Sequence, residues 1–226
     1  MTYSVAIPAY NAAKTIAEAI TSVLAQTVPP SDIVVVDDGS TDDTAAIARA
    51  QSDTVKVITQ DNAGCGQATS RAIKETLCDI VATLDADDLW MPDKMEKQLE
   101  ILRQANKQTF VFGRHRHFKH GSDDYTTGHE CDGKTRSDLV LYRAAFDHVG
   151  DIFDPPGGRG DMVDWLGRAR ELGYQFQVCN AVLVLRRIIP SSLSYGRDTA
   201  KDQGYLMVAH RAMMRRKARE QSESTS

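Results

Sequence analysis

The chain has 226 residues, of which 42% are hydrophobic and 26% charged, and its formal net charge is −4. This length suits one large globular domain, and the charge balance argues against a nucleic-acid-binding protein. No apolar run reaches the roughly 18 residues needed to span a bilayer, so no integral membrane segment is expected, and the first residues do not resemble a signal peptide. The four cysteines form no CxxC pair, which is typical of reduced thiols in a cytoplasmic protein.

Strand and helix patterns alternate through the first half of the chain. Apolar runs predict strands at 5–8, 32–36, 55–58 and 79–84. Apolar residues at helical spacing predict helices between these strands and another after Pro92. The unbroken β-branched run from 33 to 36 is typical of a buried parallel strand. The pattern therefore predicts an α/β fold, with a mostly parallel sheet flanked by helices on both faces.

The second half does not continue the regular alternation of strands and helices. We predict a strand at 110–113, a polar loop or hairpin at 121–136, a helix at 161–172, a strand at 176–185 and a terminal helix. No linker separates two independent domains. The predicted organisation is one domain over 1–221, comprising a nucleotide-binding half (1–113), an acceptor half (114–197) and a C-terminal helix (198–221), followed by a disordered tail (222–226).

Two acidic clusters each follow a predicted parallel strand. Asp37 and Asp38 follow the second strand, and Asp85-Ala86-Asp87-Asp88 follows the fourth. Carboxyl ends of parallel strands lie along one edge of a sheet, where open α/β folds bind ligands. Close carboxylates repel one another unless a cation offsets them, and Mg²⁺ typically takes one or two carboxylates together with substrate phosphates. The sequence therefore predicts a metal–diphosphate site at this edge.

Four motifs in order over about the first 95 residues resemble those of family 2 glycosyltransferases, which have the GT-A fold. The motifs are Ile7-Pro8-Ala9-Tyr10-Asn11, Val34-Val35-Val36-Asp37-Asp38-Gly39-Ser40-Thr41-Asp42, Asn62-Ala63-Gly64 with Arg71, and the DXD-type Leu84-Asp85-Ala86-Asp87-Asp88. The resemblance implies a metal-dependent enzyme that transfers a sugar from a nucleotide-diphosphate sugar, most often a UDP-sugar, to an acceptor with inversion. The acceptor would be a saccharide, a lipid-linked sugar or a peptide.

The resemblance also implies roles for residues around the nucleotide base. Pro8, Ala9 and Tyr10 would hold the base, with the Tyr10 ring beside it. Asp38 would accept a hydrogen bond from the base ring N–H, and Asp37 would help to order the turn.

A second group of residues would bind the rest of the donor. Arg71, after Asn62-Ala63-Gly64, would reach it, and Asp85 with Ala86 would lie near the ribose. Asp87 would ligate Mg²⁺ or Mn²⁺ bridging the diphosphate, where a Lewis acid stabilises the departing charge.

The catalytic base is less clearly marked. Family members usually carry Glu-Asp at a helix start, and here those positions are Asp161 and Met162. Asp161 is therefore the candidate base by position, and Asp164, one helical turn further on, is a second candidate because it shares a helix face with Asp161. The alternative is that Asp161 only caps the helix. A second departure is Ile189, near which relatives often have a histidine; Arg186 and Arg187 would hold phosphate there or simply be solvated.

Two other functions remain open from the sequence. Asp85-Ala86-Asp87 resembles the nucleophile motif of haloacid-dehalogenase-type phosphatases, in which Asp85 would attack phosphate. The departures at Met162 and Ile189 leave room for a degenerate protein that binds sugar nucleotides without turnover.

Some polar residues of the second half also have two interpretations. His115 and His117 alternate along a strand and share a face, but the sequence offers no matching cysteine or carboxylate for a metal site, so a basic wall of the acceptor cleft is favoured. The basic terminal helix, including Arg211 and Arg215, is favoured as a solvated face over a membrane contact.

Overall fold

The computed structural model describes residues 1–190, 196 and 199–223. The strands are β1 (Ser4–Ala9), β2 (Asp32–Asp37), β3 (Val55–Thr59), β4 (Ile80–Thr83), β5 (Leu89–Trp90), β6 (Thr109–Lys119), β7 (Glu130–Asp132), β8 (Val140–Tyr142) and β9 (Gln175–Ile188). The helices are α1 (Ile16–Leu24), α2 (Thr44–Arg49), α3 (Cys65–Lys74), α4 (Lys94–Gln104), α5 (Arg143–Val149), α6 (Asp161–Glu171) and α7 (Thr199–Glu223).

These strands form one sheet in the order β3-β2-β1-β4-β8-β6-β9-β5, with β7 paired to β6. Strands β1 to β4 are mutually parallel, and β6 runs parallel to β9. Strands β8 and β5 join in antiparallel orientation. The predicted α/β fold with a mostly parallel sheet is therefore confirmed.

The sheet is buried on both faces, as its unbroken apolar strands predict. Side chains alternate along β1, so that Val5 and Ile7 enter one core while Ala6 enters the other. Helices α1 and α4 cover the first face, and α3, α5 and α6 cover the second. This packing leaves the carboxyl ends of β1, β2 and β4 along one edge.

Strand β6 extends well beyond the four residues that the sequence indicated. It continues through the basic segment to Lys119 because β9 runs beside it over Thr109 to Lys119, and because His115 and Phe118 are buried. The predicted polar hairpin contains β7, which pairs with Arg114–Arg116. Pairing with distant strands is therefore what extends β6.

Helix α7 runs through Glu223, so the tail boundary predicted at 222 is wrong for Ser222 and Glu223. The chain has no glycine or proline after Gly204 to end the helix, and Arg216 pairs with Glu220 at 2.9 Å. Residues 224–226 and most of 191–198 lie outside the described residues. Among the described helices, none is long and apolar enough to cross a membrane.

Candidate active site

The loops after β1 and β2 are joined by hydrogen bonds at the carboxyl edge of the sheet. The backbone N–H of Asn11 donates to Ser40 Oγ at 2.9 Å, and Asn11 Oδ1 accepts from the N–H of Thr41 at 2.8 Å. Asn11 has a φ of 48°, a left-handed conformation that asparagine tolerates better than most residues. Tyr10 is left 54% exposed at this edge, directly after Pro8 and Ala9 of β1.

Asp37 is the last residue of β2 and Asp38 follows it, and both are buried. Asp37 Oδ1 accepts from the backbone N–H of Ser40 at 3.3 Å, within the turn that the sequence predicts it to order. Asp38 Oδ2 accepts from the N–H of Gly64 at 2.9 Å, while its Oδ1 accepts from the N–H of Ala63 at 2.9 Å. Asp38 therefore anchors the loop that precedes α3.

That loop is held from its other side by Asp154. The Asp154 carboxylate accepts from the N–H groups of Gly66 and Gln67, both at 2.7 Å, at the start of α3. Gly64 has a φ of +102°, and a Cβ added there would lie 2.5 Å from Asp154 Cγ. Glycine is thus required at 64 for both conformation and space, and Asn62 also contacts Asp38 through its side-chain amide.

Three carboxylates follow β4 within four residues, as the sequence predicts, but their environments differ. Burial and the Asp85 charge raise the pKa of Asp87 to about 6, although Arg186 and Arg187 oppose the shift. Asp88 is buried and accepts from Ser137 Oγ at 2.6 Å and from the Arg187 N–H at 2.9 Å. Asp88 therefore fixes the motif to its neighbours, whereas Asp87 carries a charge that its surroundings disfavour.

Arg136 joins the acidic motif to helix α6. One of its guanidinium nitrogens donates to Asp85 at 2.7 Å, and another donates to Asp161. The Arg136 side chain is only 7% exposed, and its carbonyl accepts from Thr83 Oγ1 at 2.5 Å. Sequence reasoning missed Arg136 because it lies in the polar segment 121–136, where no local pattern distinguishes it from a solvated loop residue.

Asp161 is the first residue of α6 but does not cap it. Gly160, with a φ of 102°, occupies the cap position, and the Asp161 carboxylate turns to Arg136 instead. Asp161 and Asp85 therefore share one guanidinium group, which connects the two halves of the predicted site.

The position of Asp164 contradicts a catalytic role for this residue. Its side chain is fully buried and pairs with Arg168 at 3.0 Å and with Arg215 of α7 at 2.9 Å. A carboxylate with no exposed surface and two arginine partners cannot receive a proton from a bound acceptor. The residues of the basic terminal helix nearest to it are accordingly not a solvated face: Arg215 is an ion-pair partner, and Arg211 lies 3.7 Å from Asp164.

The predicted arginines also differ from expectation. Arg71 is exposed on α3 and donates to Gln60 Oε1 at 3.1 Å, on the Asp38 side of the site. Arg187 is buried: its Nε donates to the carbonyl of Asp87 at 2.7 Å and its Nη2 to Glu18 at 2.6 Å. Arg187 thus ties the acidic motif to α1 and is not the solvated residue that the sequence allowed.

An α/β sheet whose parallel strands end in acidic motifs, with a cleft against a mixed second half, is the arrangement of GT-A glycosyltransferases. The structure of Staphylococcus aureus TarS with UDP-GlcNAc matches with a TM-score of 0.72 at 18% identity, over 88% of this chain and 62% of that one. The profile of glycosyl transferase family 2 matches residues 4–153. The chain belongs to this family, and the family membership predicted from the sequence motifs is confirmed.

Curated relatives agree with this assignment. An uncharacterised glycosyltransferase of Rickettsia bellii is 41% identical over 49% of this chain and 16% of its own length. Chondroitin synthase of Escherichia coli is 33% identical over 61% of this chain and 20% of its own. A third relative, the E. coli glucosyltransferase WfgD, is 36% identical over 49% of this chain and 44% of its own length. The chain therefore matches less than half the length of each of these relatives.

Family membership decides against the phosphatase alternative. Asp85, its proposed nucleophile, accepts a hydrogen bond from Arg136 and lies in the acidic motif of a glycosyltransferase sheet.

Proposed function

We propose that this domain transfers a sugar from a UDP-sugar to an acceptor with inversion at the anomeric carbon. The observation that carries the proposal is the Asp161–Arg136–Asp85 bridge, since it joins the predicted acceptor-side base to the predicted donor-side motif. A single in-line displacement needs a base on one side of the sugar and charge stabilisation on the other. The bridge brings groups suited to both tasks to one end of the sheet.

A uridine donor is supported by the edge formed by β1 and β2. Tyr10 offers an exposed ring for the base, beside Pro8 and Ala9. The Asp38 carboxylate accepts from Gln60 Nε2 and from the N–H groups of Ala63 and Gly64. Because a carboxylate has about four acceptor positions, one position would be left for the base N–H. Among similar proteins, TarS has been solved with UDP and with UDP-GlcNAc, and the name of WfgD gives UDP-Glc as its donor.

The acidic motif suits a divalent cation. Asp87 is ionised against the cost of burial and the repulsion of Asp85, and a cation would remove that cost. Oxygen ligands with incomplete protein coordination suit Mg²⁺ or Mn²⁺. Asp87 would hold the ion, with Asp85 and Ala86 near the ribose, and the bound ion would supply stabilisation of the leaving diphosphate.

Asp161 is proposed as the base that deprotonates the acceptor. The neighbouring Arg136 fixes the direction of this carboxylate by donating a hydrogen bond to it. Removing a general base typically costs about 10²- to 10⁴-fold in rate.

The acceptor, whether saccharide, lipid-linked sugar or peptide, would contact the 121–136 segment and the 154–160 loop. We place the reaction in the cytoplasm, in keeping with four cysteines that are all free thiols.

Calorimetric titration with UDP, with and without Mn²⁺, tests the donor site. The wild type and D53N, which alters an exposed aspartate in the turn before β3, should both bind UDP more tightly when Mn²⁺ is present. D87N should lose the effect of the cation. A protein that binds neither UDP nor another nucleotide under either condition would overturn the proposal.

Transfer is tested separately from binding by incubating UDP-sugars with candidate acceptors and measuring released UDP. The wild type should release UDP faster with an acceptor present, and D161N should bind UDP normally but release it about 10²- to 10⁴-fold more slowly. Tight binding without any release would favour the degenerate protein instead.

A further inference from the structure

Away from the acidic motif, β6 and β7 bring two imidazoles and a thiol together. His115 and His117 lie two residues apart on β6 and share a face, and Cys131 of β7 is directly opposite His115 in the antiparallel register. One ligand atom from each of the three side chains lies within 4.8 Å of the others. Cys131 is the partner that the linear sequence did not reveal, since it is separated from His117 by a loop.

The atoms facing this cluster are available for coordination. The Nδ1 of His115 lies 3.1 Å from Asp138 Oδ2, which leaves its Nε2 for another partner. The Nε2 of His117 is buried and has no hydrogen-bond partner among the described residues. A buried polar atom without a partner costs free energy, and a metal ion would satisfy it. Cys131 is a half-buried free thiol.

We propose that His115, His117 and Cys131 form a zinc site distinct from the Mg²⁺ or Mn²⁺ site at Asp87. Two imidazoles and one thiolate suit Zn²⁺ far better than a hard, oxygen-seeking cation. Tetrahedral Zn²⁺ needs ligand atoms about 3.3–3.6 Å apart, given bond lengths of about 2.0 and 2.3 Å. Because the ligand atoms now lie within 4.8 Å of one another, they would have to approach by at most about 1.5 Å to reach that spacing.

The surroundings support this ligand set. The pairing of Asp138 with His115 is the arrangement in which a carboxylate orients a metal-bound imidazole. The negative charge of Asp138 also offsets the positive charge of Arg186. Arg186 lies beside His117 in the β6–β9 register and disfavours a cation there. His129 is a further imidazole beside the cluster, since its ring centroid is 6.0 Å from that of His117.

The zinc ion would fasten β7 to β6 and thereby order residues 120–129, the loop between them. If the proposed function is correct, this loop borders the acceptor, and zinc would shape acceptor selection. The site itself does not depend on that role, because its ligands and its test are independent of transfer activity.

Titration of chelator-treated protein with Co²⁺, followed by displacement with Zn²⁺, tests the site. One equivalent of Co²⁺ should produce a thiolate-to-cobalt charge-transfer band, and Zn²⁺ should abolish it. C131S should lack the band, whereas C179S, which changes a half-buried cysteine of β9, should retain it. D87N should also retain it, which separates this site from the carboxylate site.

The affinity for Zn²⁺ provides a second measurement, which tests the histidine ligands rather than the thiolate. H117Q should weaken Zn²⁺ binding, and D138N should weaken it by about 10- to 100-fold because it removes only the orienting carboxylate. Circular dichroism establishes that each variant is folded before it is titrated. Absence of the charge-transfer band in the wild type, or its persistence in folded C131S, would refute the zinc site.

Discussion

Replacing Asp87 with asparagine is expected to stabilise the metal-free protein at neutral pH, although it should abolish the effect of the cation on donor binding. Burial and the Asp85 carboxylate raise the pKa of Asp87 from 3.8 to about 6. The adjacent Asp88 has a pKa that is also raised, and Arg186 and Arg187 only partly offset these charges. The folded protein therefore binds a proton at Asp87 more tightly than the unfolded chain does.

The sign and size of the effect follow from proton linkage. A carboxyl whose pKa is higher in the folded state lowers stability as the pH rises from the unfolded to the folded value, here from 3.8 to about 6. At about 1.4 kcal/mol per pKa unit, the full shift costs at most about 3 kcal/mol above that interval. Asparagine keeps the shape and removes the ionisation. The D87N advantage should be near zero at pH 4 and reach about 2–3 kcal/mol at pH 7 to 8.

Urea unfolding in the presence of a chelator, repeated from pH 4 to pH 8, measures this difference. D53N provides the control, because Asp53 is exposed and outside the site, and its stability should follow that of the wild type. Adding Mn²⁺ should stabilise the wild type and narrow its gap to D87N. A D87N protein that is no more stable than the wild type at pH 8, or a gap that does not change with pH, would refute the electrostatic account of Asp87.

Three further predictions concern buried charges. R136M should lower the free energy of unfolding by about 3–5 kcal/mol, because it leaves two carboxylates without their shared cation, and R136K should recover only part of this in the same urea assay. D164N should destabilise by a similar amount while leaving the calorimetric affinity for UDP unchanged, since Asp164 faces α7 rather than the site. Burial lowers the pKa of Lys94 from 10.5 to about 7, so the charged form is disfavoured in the folded state and stability is lost as pH falls from 10.5 towards 7. K94M should therefore be more stable than the wild type at pH 6, and the difference should disappear in unfolding curves measured above pH 10.

The first half of the site could be predicted from the sequence because its information is local. Each strand is a short apolar run, and each catalytic motif follows its strand directly. Parallel pairing of these strands then brings the ends of β1, β2 and β4 to one edge, so no long-range side-chain contact has to be known. The acids at Asp37, Asp38, Asp85 and Asp87 thus lie along the edge where the pattern puts them.

The tertiary structure alone decided which charges meet. Asp161 and Asp164 look alike in the sequence, one helical turn apart, yet one meets Arg136 and the other meets α7. The two positions are only about 60° apart around α6, so the difference comes from what surrounds them. Arg136 reaches Asp161 from the segment before β8, whereas Arg215 reaches Asp164 from α7.

The roles of Arg136 and Cys131 could not be predicted from the sequence for a related reason. Both lie in a polar segment without periodicity, and their partners are fixed only by long-range pairing of β6 with β7 and of Arg136 with Asp85. Side-chain chemistry and spacing along the chain determined the edge of the sheet and its acids. Contacts across tens of residues determined that Asp85 is paired with Arg136, that Asp87 keeps a charge its surroundings disfavour, and that Cys131 lies beside His115 and His117.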